Sequence, residues 1–240
     1  MSAATRARPA YWAVVPAAGS GRRMATGVPK QYLPLHGSTV LEHTLNTLFA
    51  CDPIEGVVLA LSPGDGYWPE IAPHFVGKNL ACVAGGDERC HSVLNALRHL
   101  RGFAQEGDWV LVHDAARPCV RVEDVNVLIE TVGDDPCGGL LGVPVSDTMK
   151  RAGADGRVAE TVDRRALWHA QTPQMFRLGL LQMALEQALA QGHLVTDESA
   201  AVEMTGKRPC LVSGRVENIK ITVPSDLALA AFYLQERSEP

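Results

Sequence analysis

Four short stretches of the chain are apolar almost without interruption: Tyr11-Trp12-Ala13-Val14-Val15, Val57-Val58-Leu59-Ala60-Leu61, Trp109-Val110-Leu111-Val112-His113 and Gly139-Leu140-Leu141-Gly142-Val143. A strand with one wet face alternates apolar and polar residues, whereas a run apolar on both faces belongs to a strand covered on both sides. Between and after these runs, apolar residues recur at helical spacing over roughly Val40–Ala50, Cys90–Leu100, Val122–Val132, Leu178–Gln191, Glu198–Thr205 and Leu227–Gln235. Ser225 or Asp226 is placed to cap the last of these. Buried strands interleaved with helices predict an α/β domain of three layers, with a mostly parallel sheet between helices. One segment breaks the pattern. Ser146 to Asp163 is polar, holds two glycines and carries Lys150, Arg151 and Arg157. It is too long for a typical ~2–6 residue connection and reads as an excursion from the sheet, a protruding hairpin arm.

The bulk numbers narrow the class. A chain of 240 residues suits one α/β domain, and 46% hydrophobic with 20% charged residues suits a globular protein with a sizeable core. The net charge is −5 and no basic block or stripe exists, which excludes nucleic acid as a general partner. No apolar run approaches ~18 residues, so no membrane span is predicted. Met1–Pro9 is short, polar and basic, without the apolar stretch of a signal peptide. The six cysteines show no C-x-x-C pair and read as small core residues in a reducing compartment; the cytoplasm is expected.

In open parallel sheets, ligands bind beyond the carboxyl ends of the strands. That rule selects the segments that carry chemistry. After the first strand comes Pro16-Ala17-Ala18-Gly19-Ser20-Gly21-Arg22-Arg23-Met24, then Pro29-Lys30-Gln31-Tyr32. A glycine-rich turn exposes backbone N–H groups that cradle phosphate. The dinucleotide pattern G-x-G-x-x-G fails because Met24 stands at the third glycine, and no Gly-Lys-Ser/Thr completes a Walker A loop. Two arginines inside the loop and a lysine after it remain as the distinguishing feature. The second cluster is Gly85-Gly86-Asp87-Glu88-Arg89-Cys90-His91-Ser92, whose paired glycines allow close approach to a flat ligand. Asp87 alone reads as a helix cap. The third is His113-Asp114-Ala115-Ala116-Arg117-Pro118 at a strand end, where Asp114 and Arg117 form either a site or an internal ion pair. A fourth group runs Thr161-Val162-Asp163-Arg164, Leu167-Trp168-His169-Ala170-Gln171-Thr172-Pro173-Gln174, Thr196-Asp197-Glu198 and Asn218-Ile219-Lys220. Here His169 reads as a packed histidine, and Lys220 as a residue inside a short strand.

Taken together, Pro-Ala-Ala-Gly-x-Gly-Arg-Arg-Met, Pro-Lys-Gln-Tyr, Gly-Gly-x-x-Arg, His-Asp-Ala-Ala-Arg-Pro, Gln-Thr-Pro-Gln and Asn-Ile-Lys resemble the 2-C-methyl-D-erythritol 4-phosphate cytidylyltransferase family of the non-mevalonate isoprenoid pathway. The similarity runs from about Ala13 to Leu234. It implies a single-domain, Rossmann-like nucleotidyltransferase fold that joins CMP from CTP to methylerythritol phosphate and releases pyrophosphate. It also implies roles. Arg23 and Lys30, with Arg164 and Lys220, match catalytic positions. Pro16, Ala17, Ala18, Gly19, Gly21, Arg22, Gly86, Asp87, Ser92 and Ala115 match positions around CTP. Asp114, Arg117, Thr148, Arg164, Thr172, Thr196 and Lys220 match positions around the methylerythritol phosphate. In such proteins the arm, about residues 146–163, crosses to a second subunit, so a homodimer is implied. Ribitol-5-phosphate cytidylyltransferases share the glycine-rich loop and Asn-Ile-Lys; Val162-Asp163-Arg164 followed by Leu167-Trp168 is closer to the methylerythritol family.

The chemistry suits this residue set. Two polyanions held together repel by ~1 kcal/mol per charge pair at 4 Å in water, and by more at lower dielectric. Arg22, Arg23, Lys30, Arg117, Arg164 and Lys220 are available to offset this in an otherwise acidic chain. A phosphomonoester is mostly dianionic at pH 7, its second pKa being near ~6. It therefore attacks without a general base, in accord with the lack of a nucleophile–base arrangement in the sequence. Mg²⁺, or another divalent cation, is expected on the triphosphate; its protein ligands are not legible. Arg23→Ala and Lys30→Ala should each leave a folded protein whose turnover at saturating substrate falls about 10²–10³-fold, the usual cost of one preorganised charge contact. Near-wild-type turnover in either would refute the assignment of the loop.

Overall fold

The computed structural model describes residues 8–19 and 27–238. The chain runs β1 (Tyr11–Pro16), β2 (Pro34–Leu35), β3 (Ser38–Thr39), α1 (Val40–Phe49), β4 (Ile54–Leu61), α2 (Trp68–Ile71), β5 (Leu80–Ala84), α3 (Arg89–Leu100) and β6 (Trp109–Val112). It continues through α4 (Val122–Val132), β7 (Gly139–Pro144), β8 (Met149–Ala152), β9 (Val158–Val162), β10 (Trp168–Arg177), α5 (Leu178–Ala190), α6 (Glu198–Glu203), β11 (Cys210–Ser213) and α7 (Pro224–Ser238). Seven strands form one sheet in the order β11-β7-β10-β6-β1-β4-β5. β1 pairs parallel with β4 and β6, β4 with β5, and β7 with β11, while β10 runs antiparallel to both β6 and β7.

Successive strand side chains point to opposite faces, and β1 shows what that does. Trp12 and Val14 join the core beneath α3 and α5, while Ala13 and Val15 join the core beneath α1. The third core, beneath α4, takes Trp109, Leu111, Leu141 and Met175. A smaller cluster around Leu33, Val40, Cys119 and Ile221 seats α7. Helix α1 begins with a capping box: Thr39 accepts from the Glu42 N–H, and the Glu42 carboxylate accepts from the Thr39 N–H. Among the described residues no helix is long and apolar enough to cross a membrane.

The segment after β7 is a two-stranded hairpin, β8 with β9, whose residues are mostly exposed. Its two ends are tied by Arg164, which donates to the Ser146 carbonyl.

Three local expectations differ from the structure. His169 is exposed rather than packed, because residues 168–170 of β10 pair with β7 only and gain β6 as a neighbour from Gln174 onward. Asn218–Thr222 is not a strand; its long-range backbone bond runs from the Ile221 N–H to the Ala116 carbonyl, 2.8 Å. Helix α7 starts at Pro224, so neither Ser225 nor Asp226 is its N-cap. Asp226 instead reaches back from the first turn and accepts from the Thr222 N–H (2.7 Å) and the Val223 N–H (3.0 Å).

Where β7 begins, Gly138 adopts φ +79°, and a Cβ there would meet the Phe176 ring at 2.3 Å and the Met175 carbonyl at 2.5 Å. Both the handedness and the space demand glycine. Gly138→Ala should therefore lose about 1–3 kcal/mol in urea unfolding, while the specific activity of the folded protein changes little. A variant as stable as the wild type would contradict this packing.

Candidate active site

The carboxyl ends of β1, β5 and β6 open onto one cleft, lined by Pro16, Ala17, Ala18, Gly19, Lys30, Gln31, Gly86, Asp87, Glu88, Arg89, Ser92, Asp114, Ala115, Ala116 and Lys220. Its floor is braced from behind. Buried Gln31 donates to the Ala17 carbonyl at 2.7 Å, and Ser62 donates to the Ala18 carbonyl at 2.7 Å. Across from this loop, the Gly86 N–H donates to the Ser92 hydroxyl at 3.0 Å. The strands bring the two loops so close that a Cβ on Gly85 would lie 2.4 Å from the Ala18 Cβ. Lys30 donates from its Nζ to the Ile221 carbonyl at 2.9 Å, which fastens the first loop to the 218–222 segment.

A second cleft adjoins the first and is lined by Arg89, Asp114, Arg117, Ala170, Gln171, Thr172, Gln174, Thr196, Asp197 and Lys220. Arg89, Asp114 and Lys220 belong to both, so the wall between the clefts is an ion cluster. The buried Asp114 carboxylate takes Arg89 Nε on Oδ1 at 2.8 Å and Lys220 Nζ on Oδ2 at 2.8 Å, with Arg117 Nε at 3.6 Å. Arg89 is gripped from its other side by Glu198, at 2.6 and 3.0 Å. Burial alone would raise the Asp114 carboxyl, but Arg89, Lys220 and Arg117 hold it well below the usual carboxylate range. Burial pushes Glu198 up, against the pull of Arg89. Three cations against two carboxylates leave the cluster positive, which suits an anionic ligand in an acidic protein.

The cluster is set on a rigid frame. Arg117 donates to the carbonyls of Asn218 (2.6 Å) and Ala170 (3.3 Å). Asn218 donates to the Thr172 carbonyl at 2.8 Å. His113, wholly buried, lies with Nε2 3.1 Å from the Arg117 carbonyl and Nδ1 3.0 Å from the Thr172 hydroxyl. Burial pushes its pKa down to about 4, so the ring is neutral at pH 7. Gln174 ties β10 to the 197–199 turn, donating to Asp197 at 3.0 Å and accepting from the Ser199 N–H at 2.8 Å.

Of the residues singled out in the sequence, Pro16, Ala17, Ala18, Gly19, Lys30, Gly86, Asp87, Ser92 and Ala115 line the first cleft, Arg117, Thr172 and Thr196 line the second, and Asp114 and Lys220 line both. Gly21, Arg22 and Arg23 lie outside the described residues. Asp87 does not cap α3, whose N-cap is Glu88 without a side-chain bond. Thr148 and Arg164 are exposed at the foot of the hairpin and are not among the residues lining either cleft. Arg89, Gln31 and Glu198 stand in the motifs but were assigned no role. Arg89 stands in the Gly-Gly-x-x-Arg string, but its partners Asp114 and Glu198 lie 25 and 109 positions away, so only the fold reveals its pairing.

A family model described as 2-C-methyl-D-erythritol 4-phosphate cytidylyltransferase matches residues 11–236. The chain is similar to proteins of that name from Vibrio vulnificus strain CMCP6, with 53% identity over 95% of each chain. It is also similar to the one from Pseudomonas putida strain F1, with 52% identity over 91% of this chain and 93% of that one. Among solved structures, a 4-diphosphocytidyl-2C-methyl-D-erythritol synthase superposes with a TM-score of 0.82 at 38% identity, covering 95% of this chain and 100% of the other. The Francisella tularensis cytidylyltransferase superposes with a TM-score of 0.81 at 33% identity, covering 93% and 99%.

The buried histidine carries a pH signature. A group whose folded pKa lies near 4, against about 6.5 in an unfolded chain, binds fewer protons folded than unfolded between those values. Stability should therefore fall as the pH drops through that window, by about 2 kcal/mol between pH 7 and pH 5 from this group alone. His113→Asn should flatten the dependence over the same range in denaturant titrations. An unchanged slope in that variant would mean that His113 is not the buried neutral group described.

Proposed function

The chain belongs to the 2-C-methyl-D-erythritol 4-phosphate cytidylyltransferase family, and from that premise we propose how its residues divide the work. It is a nucleotidyltransferase. It transfers CMP from CTP to 2-C-methyl-D-erythritol 4-phosphate, giving 4-diphosphocytidyl-2-C-methyl-D-erythritol and pyrophosphate, a step of isoprenoid precursor synthesis by the non-mevalonate pathway. The ribitol phosphate alternative is set aside by the family match over nearly the whole chain. The observation that carries the division of labour is the pair of clefts meeting at Asp114, Arg89 and Lys220.

In this reading CTP takes the first cleft, its base against Gly86 and Ser92 and its phosphates along Ala17, Ala18, Gly19 and the loop after them. The sugar-alcohol phosphate takes the second. A phosphate oxygen of the acceptor attacks the α-phosphorus, the new P–O bond forms as the bond to the β-phosphate breaks, and pyrophosphate leaves. The acceptor is already a dianion at neutral pH, so the protein has no proton to remove. Its task is alignment and charge stabilisation. Lys220 stands at the boundary, where the two anions would meet, and Lys30 lines the nucleotide side.

Mg²⁺ suits this donor set as an ion carried on the nucleotide. Among the described residues no three His, Cys, Asp or Glu side chains form a cation cage, and Asp114 is engaged by cations. Asp87 and Glu88, the other carboxylates of the first cleft, are the residues that would contact its water shell. When bound, the ion neutralises charge on the departing pyrophosphate.

The working unit in this proposal is a cytoplasmic homodimer. The exposed hairpin carries Val158 at 64% exposure, and Thr148 and Arg164 sit at its foot, away from their own clefts. A two-fold partner would cover the hairpin with the same patch on both chains, and the partner's second cleft would receive Arg164, whose planar guanidinium suits a phosphate.

Two measurements follow. Pyrophosphate release from CTP should require methylerythritol phosphate and should fall sharply with ATP or GTP, since the Gly85–Gly86 turn leaves little room for a purine; equal use of ATP would contradict the placement of the base. Mixing an Arg164→Ala chain with a Lys30→Ala chain, each nearly inactive alone, should restore activity after subunit exchange. Confirmed exchange without recovery would show that Arg164 does not serve the neighbouring site.

A further inference from the structure

The His113 ring fixes the polarity of the second cleft. A carbonyl oxygen only accepts, so His113 Nε2, 3.1 Å from the Arg117 carbonyl, carries the ring's proton. The neutral ring then has a bare Nδ1, which accepts from the Thr172 hydroxyl 3.0 Å away. On its other side the Thr172 Oγ1 accepts the Asp114 N–H at 3.0 Å. A hydroxyl has one donor and two lone pairs. The donor and one lone pair are used within the protein, and Thr172 lines the second cleft.

We propose that His113 is a positioning residue that turns the Thr172 hydroxyl into an acceptor-only group, so that Thr172 receives a hydroxyl of the acceptor's polyol chain and not its phosphate. The proposal rests on the assignment of the second cleft to the sugar-alcohol phosphate. A dianionic phosphate offers only acceptors and is turned away by a lone pair. A substrate O–H is matched by it. The Asp114 carboxylate beside it presents the same polarity, while Lys220, Arg89 and Arg117 supply the donors. The cleft thus divides into a hydroxyl-reading side at Thr172 and Asp114 and a phosphate-reading side at the cations. The buried histidine, which takes no part in the transfer, is what orients Thr172.

The test is a double-mutant cycle between protein and substrate. Wild type and Thr172→Val are assayed for pyrophosphate release with methylerythritol 4-phosphate and with each of its three mono-deoxy analogues. One analogue should lose at least about fivefold in kcat/KM with wild type, and Thr172→Val should add little further loss with that analogue while costing a similar factor with the full substrate. Additive losses for all three analogues would overturn the proposal. His113 is tested by two replacements. His113→Asn can place an acceptor where Nδ1 stood, whereas His113→Gln can replace only the donor to the Arg117 carbonyl. KM for the alcohol phosphate should rise severalfold in the glutamine variant and stay near wild type in the asparagine variant; the reverse order, or equal values, would overturn the orienting role. If either variant fails to fold, the Thr172 cycle alone decides. Absence of pyrophosphate release with wild type and the full substrate would instead indict the functional reading itself.

Discussion

The Asp114 carboxylate gathers cations from three separate stretches of chain: Arg89 at the start of α3, Arg117 in its own turn, and Lys220 in the segment before α7. Desolvating a carboxylate costs several kcal/mol unless it is paired and hydrogen-bonded, and here it is held on both oxygens. That requirement joins the parts of the fold. Asp114 sits just past the end of β6, its backbone N–H is fastened to Thr172 on β10, and its side chain then fixes where the two clefts meet. Glu198 completes the arrangement by gripping Arg89 from α6.

The arrangement explains how a chain with net charge −5 can assemble two polyanions. Three cations converge beyond the carboxyl end of the central strand β6, in a partly buried setting where each interaction is stronger than in water. Because the cations are anchored on backbone carbonyls and on the Asp114 and Glu198 carboxylates, their positions are set before substrate arrives. Such preorganisation is what charge stabilisation of a phosphoryl-type transfer requires.

Much of this was legible in the sequence. The apolar runs located β1, β4, β6 and β7, and helical spacing located α1, α3, α4 and α5 within a residue or two, because those elements bury continuous faces. β10 was not legible: Gln171, Thr172 and Gln174 are buried polar residues whose partners lie far away in sequence, so the strand has no apolar signature. β5 and β11 sit at the sheet edges, where half-exposed residues weaken the pattern. Short motifs selected most residues lining both clefts, because glycine turns and strand-end charges are local signals. Arg89 and Glu198 escaped because pairing across 109 positions is a property of the fold. His169 misled for the opposite reason: its neighbours are apolar in sequence, but the strand beside it ends before reaching it.

The central claim is that Asp114 serves the transfer by placing cations and not by drawing the phosphates in. Removing its charge while keeping its shape separates the two. In Asp114→Asn the clefts lose a negative charge, so binding of inorganic phosphate, measured by calorimetry, should be no weaker than in wild type. Turnover with CTP and methylerythritol phosphate should nevertheless fall about 10²–10³-fold, because the cations lose their common anchor. A folded Asp114→Asn protein that turns over near the wild-type rate would contradict the account.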